Sequence, residues 1–140
     1  MDTSILIAVP EMPPFNTFFN EAVRIRLERL GDVTWFAKSR MVTEADLKQL
    51  LPGKTVLVTG WGQPYLSKAL LAHAPELRLI AHTAGTVASF CGPEVYERGI
   101  RVVSGNDVFA ESVAEGTLAY ILAALRRIPF YDRQMKSGGW

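Results

Sequence analysis

The chain has one cysteine, Cys91, and two histidines, His73 and His82. A single thiol excludes an internal disulfide and fits a reducing compartment, so the expected location is the cytoplasm. So few soft or imidazole ligands give no metal-binding spacing, and no metal site is expected. Neither sign of charge is in excess: 15 Lys and Arg against 14 Asp and Glu leave +1 over 140 residues. Without a basic patch or run, nucleic acid is not an expected partner. Long hydrophobic runs are lacking as well. Leu118–Leu125, the longest uncharged apolar stretch near the end, is too short to span a bilayer and closes on Arg126–Arg127, so no membrane partner is expected. The start lacks a basic segment, and Ser4–Pro10 reads as a strand rather than a signal peptide. There are no repeats and no low-complexity tracts.

What is present is a hydrophobic share of 49%, enough for one sizeable core. Ile5–Val9, Val33–Ala37, Thr55–Thr59, Leu77–Ala81 and Arg101–Ser104 are short segments that read as strands. Helical patterns separate them. After Pro13–Pro14, the residues Phe15, Phe18, Phe19, Ala22, Val23, Leu27 and Leu30 recur at helical spacing as one helix closed by Gly31. Thr43 with Asp46 caps a short helix through Leu50; Leu66–Ala74 and Pro93–Arg98 are helical, the latter stopped by Gly99. This alternation predicts an α/β fold, a parallel five-stranded sheet with helices on both faces. The regular pattern ends near Gly105, which divides the chain into 1–105 and 106–140. Ser112 and Glu115 form a capping box, so a helix is expected to begin at Val113 and run to Ile128. It is apolar nearly all round and therefore expects cover on most sides.

In open parallel sheets, ligands bind beyond the carboxyl ends of the strands. Gly60–Trp61–Gly62 stands at such an end, but Tyr65 occupies the place where a dinucleotide fingerprint needs its third glycine. A tight turn with a partly buried Trp61 is the better reading. Ala84–Gly85–Thr86 follows the fourth strand, where small residues free backbone N–H groups for an anionic oxygen. An ordinary strand-to-loop turn explains the same residues equally well. His82 has no acidic neighbour to orient it and reads as structural. Cys91 has no identifiable base and reads as a core-lining thiol. Glu115 is accounted for by the cap, and Arg126–Arg127 by a solvated helix end.

Several motifs carry a resemblance over Leu50–Trp140: Ala74–Pro75–Glu76–Leu77–Arg78–Leu79–Ile80, Arg98–Gly99–Ile100–Arg101–Val102, Ser112–Val113–Ala114–Glu115, Leu125–Arg126–Arg127–Ile128 and Gly138–Gly139–Trp140. In order and separation this stretch resembles the D-isomer-specific 2-hydroxyacid dehydrogenases; residues 1–49 match only in strand–helix pattern. The resemblance implies a flavodoxin-like substrate domain over 1–105. It also implies that 106–140 is a hinge and the first helix of an NAD(P)-binding Rossmann domain missing from this chain. The glycine fingerprint and the family's catalytic arginine, glutamate and histidine then lie beyond Trp140. No catalytic residue is assigned in this chain, and alone it is expected to be inactive and to hold no NAD or NADP. The family's Gly–Val–Gly loop aligns with Ala84–Gly85–Thr86, which implies substrate-carboxylate binding by the amides and a cofactor contact at Gly85. Val113 aligns with a valine that approaches the nicotinamide, and Trp61 lies on a loop facing the substrate cleft. The chain departs from the family at Ala88–Ser89, where Asp–Asn is usual. It departs again at Phe109, where an asparagine commonly sits beside substrate and nicotinamide.

The implied function is the substrate-binding portion of an oxidoreductase that interconverts a small 2-hydroxy acid and a 2-oxo acid. The alternative is a stand-alone flavodoxin-like module for small-molecule binding or interaction. A phosphorylated receiver is disfavoured because Thr59–Gly60–Trp61 lacks the required aspartate. A flavodoxin is disfavoured because Glu11–Met12–Pro13–Pro14 cannot serve as a hydroxyl-rich phosphate loop. Self-association through exposed faces of the last helix is also expected, since large apolar patches rarely stay in water.

Overall fold

The computed structural model describes residues 3–139, so Trp140 of the Gly138–Gly139–Trp140 motif lies outside the described residues. Two compact units divide the chain, Met1–Gly105 and Asn106–Trp140. The first contains β1 (Ser4–Ala8), α1 (Phe15–Phe18), α2 (Glu21–Glu28), β2 (Asp32–Trp35), α3 (Glu44–Leu50), β3 (Val56–Thr59), α4 (Lys68–Leu71), β4 (Leu79–His82), α5 (Pro93–Glu97) and β5 (Arg101–Ser104). All neighbouring strands are parallel, in the order β2-β1-β3-β4-β5. This is the flavodoxin-like order, in which the winding reverses between β1 and β3. The expected α/β class and five-stranded parallel sheet are what the chain forms.

Alternation along the strands explains the two apolar layers. Leu6 and Ala8 of β1 join Leu57, Ile80, Leu47, Leu70 and Val95 on one face. Ile5, Ile7 and Val9 join Val58, Phe15 and Phe19 on the other. A strand buried on both faces has no polar side to display, which is why Ile5–Val9 is uninterrupted hydrocarbon. Arg98 ties the two halves of the larger layer together, donating to the carbonyl oxygens of Leu71 and Ala74 just past α4. Those acceptors are the orphan carbonyls of a short helix end, and their satisfaction explains an arginine just before Gly99.

The helices differ from expectation in four places. Phe15–Leu30 is two helices rather than one, because Asn20 caps a fresh start: its Oδ1 accepts from the Val23 N–H at 3.0 Å. Gly31 does not end the helix, which stops at Glu28; a Cβ at Gly31 would overlap the Thr3 carbonyl oxygen, so close backbone approach requires the glycine. The helix expected over Leu66–Ala74 is only Lys68–Leu71, capped by Ser67. In the second unit, α6 runs Asn106–Leu125, so it begins before Ser112, and Ser112 and Glu115 lie inside it rather than at its cap. The physical reason is cooperativity. A capping box is worth about 1 kcal/mol, but Asn106–Glu111 already extends the helix, with Asp107 in the favourable first turn. A further helix, α7 (Ile128–Lys136), follows the left-handed residue Arg127 and packs with α6.

The length of α6 also revises the reading of Leu118–Leu125 as too short. Among the described residues, α6 is long and apolar enough to cross a membrane by length and composition alone. Core helices of soluble proteins pass the same test, and Asp107, Glu111 and Glu115 all lie on this one.

Candidate functional site

The reversal between β1 and β3 leaves a crevice at the carboxyl ends of the strands, and three strand exits meet there. Gly60, leaving β3, packs beside Val9 and Thr83; a Cβ at that position would sit 3.2 Å from Val9 Cγ1. The chain leaving β1 turns sharply, with Met12 N–H donating to Pro10 O at 2.8 Å and Phe15 N–H to Met12 O at 2.7 Å. Together they enclose a pocket of about 130 Å³ lined by Val9, Pro10, Met12, Pro13, Pro14, Phe15, Phe18, Met41, Trp61 and Thr83. Trp61 is 55% exposed rather than partly buried, with its ring 5.7 Å from that of Phe18. The tight turn expected at Gly60–Trp61–Gly62 is present, with Gly62 at φ +70.

The exit of β4 is pinned on one side and open on the other. Thr83 N–H and Oγ1 both donate to Thr59 O, at 2.8 and 3.0 Å. Gly105 N–H donates to His82 O and Ala84 O. The carbonyls of His82 and Ala84 are thus held by the residue that follows β5. The amides of Ala84, Gly85 and Thr86 have no acceptor among the described residues. Ala84 is buried, Gly85 half-buried and Thr86 exposed. Thr86 Oγ1 accepts from Ala88 N–H at 3.3 Å, which turns the loop after the open amides.

His82 and Cys91 are where structural roles would put them. His82 is buried, its Nδ1 is 2.9 Å from Thr59 Oγ1, and its ring lies against Phe90. Burial pushes its pKa down, which disfavours the protonated ring. Cys91 is buried in the larger apolar layer, and burial pushes its thiol up to about 11. Neither is poised for chemistry.

The sequence reading missed the framing loop between β2 and α3. The Thr43–Asp46 capping box is complete, but Asp46 does more than cap. It accepts from Arg40 at 2.7 Å on each oxygen, from Lys38 at 3.1 Å, and from the Thr43 hydroxyl and amide at 2.6 and 3.0 Å. The Arg40 guanidinium and the Thr43 donors hold this carboxyl well below the usual carboxylate range. The anchored loop carries Met41, whose Cε lies over Gly62. Phe18, Met12 and Met41 thus join Trp61 at the pocket, and only hydrophobic spacing around Phe18 hinted at any of them.

Phe109 and Val113 belong to the second unit. They lie four residues apart on α6, hence on one face of it, and Val113 is 63% exposed.

No family model matches the chain. Individual proteins do. A D-3-phosphoglycerate dehydrogenase of Methanocaldococcus jannaschii is 30% identical over 120 residues, which is 86% of this chain and 22% of that protein. A glyoxylate/hydroxypyruvate reductase of Arabidopsis thaliana is 24% identical over 128 residues, 91% of this chain and 38% of that protein. The chain is a homologue of part of the D-isomer-specific 2-hydroxyacid dehydrogenases. It spans 22–38% of the length of these two relatives. The same architecture recurs in the NAD-dependent formate dehydrogenase of Staphylococcus aureus in complex with NAD, with a TM-score of 0.67 and 24% identity over 99% of this chain and 42% of that one.

A dehydrogenase homologue raises the matter of the dinucleotide. The Gly60–Trp61–Gly62 turn does not fit a pyrophosphate: Met41 fills the space above Gly62, and Tyr65 replaces the third glycine. What the first unit offers instead is an open set of amides beside an apolar pocket.

Proposed function

We propose that this chain is the substrate-binding portion of an NAD(P)-dependent oxidoreductase that interconverts a 2-hydroxy acid and a 2-oxo acid. The supporting observation is the turn after β4, where the Ala84, Gly85 and Thr86 amides have no acceptor among the described residues while Gly105 N–H holds the carbonyls of His82 and Ala84. Several N–H groups on a fixed backbone suit a carboxylate, and they cost no reorganisation when it arrives. Their position next to the β1/β3 reversal is where open α/β sheets bind ligands. Trp61 borders the substrate. Gly85 is our candidate cofactor contact on the first unit; Phe109 and Val113 are those of the second. The catalytic acid–base groups and the dinucleotide cradle are assigned to the part of the relatives that this chain does not span. NAD(P) would supply the hydride chemistry, and none is expected to bind this chain alone. Balanced charge and one buried thiol favour a cytoplasmic protein without a nucleic-acid partner.

Two measurements test this reading. Titrating the ¹⁵N-labelled chain with pyruvate should shift the Gly85 and Thr86 amide resonances before others. Incubating the chain with NADH or NADPH and a series of 2-oxo acids should give no oxidation of the nicotinamide. Pyruvate shifts confined to another face, or a steady turnover by the chain alone, would defeat the assignment.

A further inference from the structure

The pocket beside the open amides has a chemistry of its own. Its walls are hydrocarbon or thioether apart from the Trp61 indole N–H and the Thr83 hydroxyl, and that hydroxyl already donates to Thr59 O. No charged side chain lines it. The nearest cations on the framing loop, Lys38 and Arg40, are committed to Asp46, and Glu11 borders the neighbouring groove with charge of the wrong sign for a second anion. A carboxylate or phosphate pushed into this space would give up water and meet no charged partner, with the Trp61 indole N–H as the one side-chain donor not already used, which is costly. A hydrocarbon group would not. At about 130 Å³, the space is close to the roughly 150 Å³ of an apolar cavity that accepts benzene. Thr83 lines the pocket and is followed directly by Ala84, Gly85 and Thr86, so the open amides and the pocket share the exit of β4.

Resting on the carboxylate-loop reading above, we infer that the chain selects 2-oxo and 2-hydroxy acids with a bulky apolar side chain, branched aliphatic or phenyl. The relatives named above are named for phosphoglycerate and for glyoxylate and hydroxypyruvate, which are smaller or more polar at that position. Trp61 and Phe18 form one wall, and Met12 and Met41 adapt to the outline of the group. Trp61 is the specificity-determining residue of this set. It is exposed, so its replacement leaves the fold intact.

The test follows two reporters in one titration of the ¹⁵N-labelled full chain: the Trp61 indole N–H for the side chain, and the Gly85 and Thr86 amides for the carboxylate. The probes are pyruvate, 2-oxobutanoate, 4-methyl-2-oxopentanoate and 3-phenylpyruvate, with 4-methylpentan-2-one as the ketone without a carboxylate. Affinity should rise about fourfold for each added methylene, reaching about 50-fold from pyruvate to 4-methyl-2-oxopentanoate. Both reporters should saturate together, and Trp61→Ala, followed through the Gly85 and Thr86 amides, should flatten the series from pyruvate to 4-methyl-2-oxopentanoate. Equal affinity along the series, with only Gly85 and Thr86 responding, overturns the side-chain inference and leaves the carboxylate loop standing. Equal binding of the ketone, with only Trp61 responding, overturns the carboxylate loop and this substrate assignment with it. No response from either reporter up to tens of millimolar overturns both.

Discussion

Replacing Asp46 with asparagine probes how the loop that frames the pocket is held. The substitution keeps the shape of the side chain but removes the charge and one acceptor. The wild-type carboxylate is 6% exposed and accepts five hydrogen bonds, two of them from the Arg40 guanidinium. Loss of the capping interactions with Thr43 costs about 1 kcal/mol. Arg40 and Lys38 are half exposed, so solvent screens their pairing and it adds little. The expected loss is therefore about 1 kcal/mol, a fall in Tm of roughly 5 °C for a unit of this size. The pH dependence has a definite sign. An unfolded aspartate titrates near 3.9, and the folded value lies well below it. The contribution of Asp46 is therefore complete above about pH 5 and is lost as pH falls through the unfolded value toward the folded one. The carboxamide of the variant does not titrate, so the gap between the two proteins should narrow by about 1 kcal/mol between pH 7 and pH 3. Urea unfolding followed by circular dichroism at both pH values measures this. A gap below about 0.5 kcal/mol at pH 7, or one that stays constant down to pH 3, refutes the reasoning.

Three further outcomes are expected. Gly62→Ala should be more destabilising than Gly53→Ala by about 1 kcal/mol: both sites have positive φ, but only at Gly62 does the new Cβ meet Met41. Equal losses in thermal unfolding would remove Met41 from the account of this turn. Cys91, buried with its pKa near 11, should resist a thiol reagent at pH 8 until urea is added, and rapid labelling of the native chain would contradict its place in the core. Leu118, Ile121, Leu122 and Leu125 are all exposed on α6, so light scattering should detect concentration-dependent self-association that Leu122→Glu reduces; a strict monomer at every concentration would sink that expectation.

The sheet was legible because its information is local. Ile5–Val9 and Val56–Val58 are apolar without interruption, as a strand covered on both faces requires. The Thr43–Asp46 cap and the Gly99 stop, at φ +70, are equally local. Helix boundaries were less so. The spacing from Phe15 to Leu30 is consistent with one helix, yet the Asn20 side chain found a better use capping a second. Ser112 and Glu115 have the right spacing for a cap, but the residues before them extend the same helix and make the cap redundant. A motif names a capability, and its neighbours decide whether the capability is used.

The candidate site divides the same way. Ala84–Gly85–Thr86 was visible as small residues after a strand, but composition left its use open. What the structure adds is that Gly105 N–H holds the carbonyls of His82 and Ala84, and Gly105 is some twenty residues away in sequence. The pocket is more distributed still: its wall comes from the exits of β1, β3 and β4 and from a loop after β2. Met41 reaches it only because Asp46, further along the chain, gathers Arg40, Lys38 and Thr43 into one anchor. Such an anchor has a consequence beyond stability. If the loop carrying Met41 loosens, the apolar wall loses a face while the amides after β4 are untouched. Asp46→Asn should therefore weaken 4-methyl-2-oxopentanoate more than pyruvate in the same titration. Equal weakening of both would mean that the loop supports the fold without shaping the pocket.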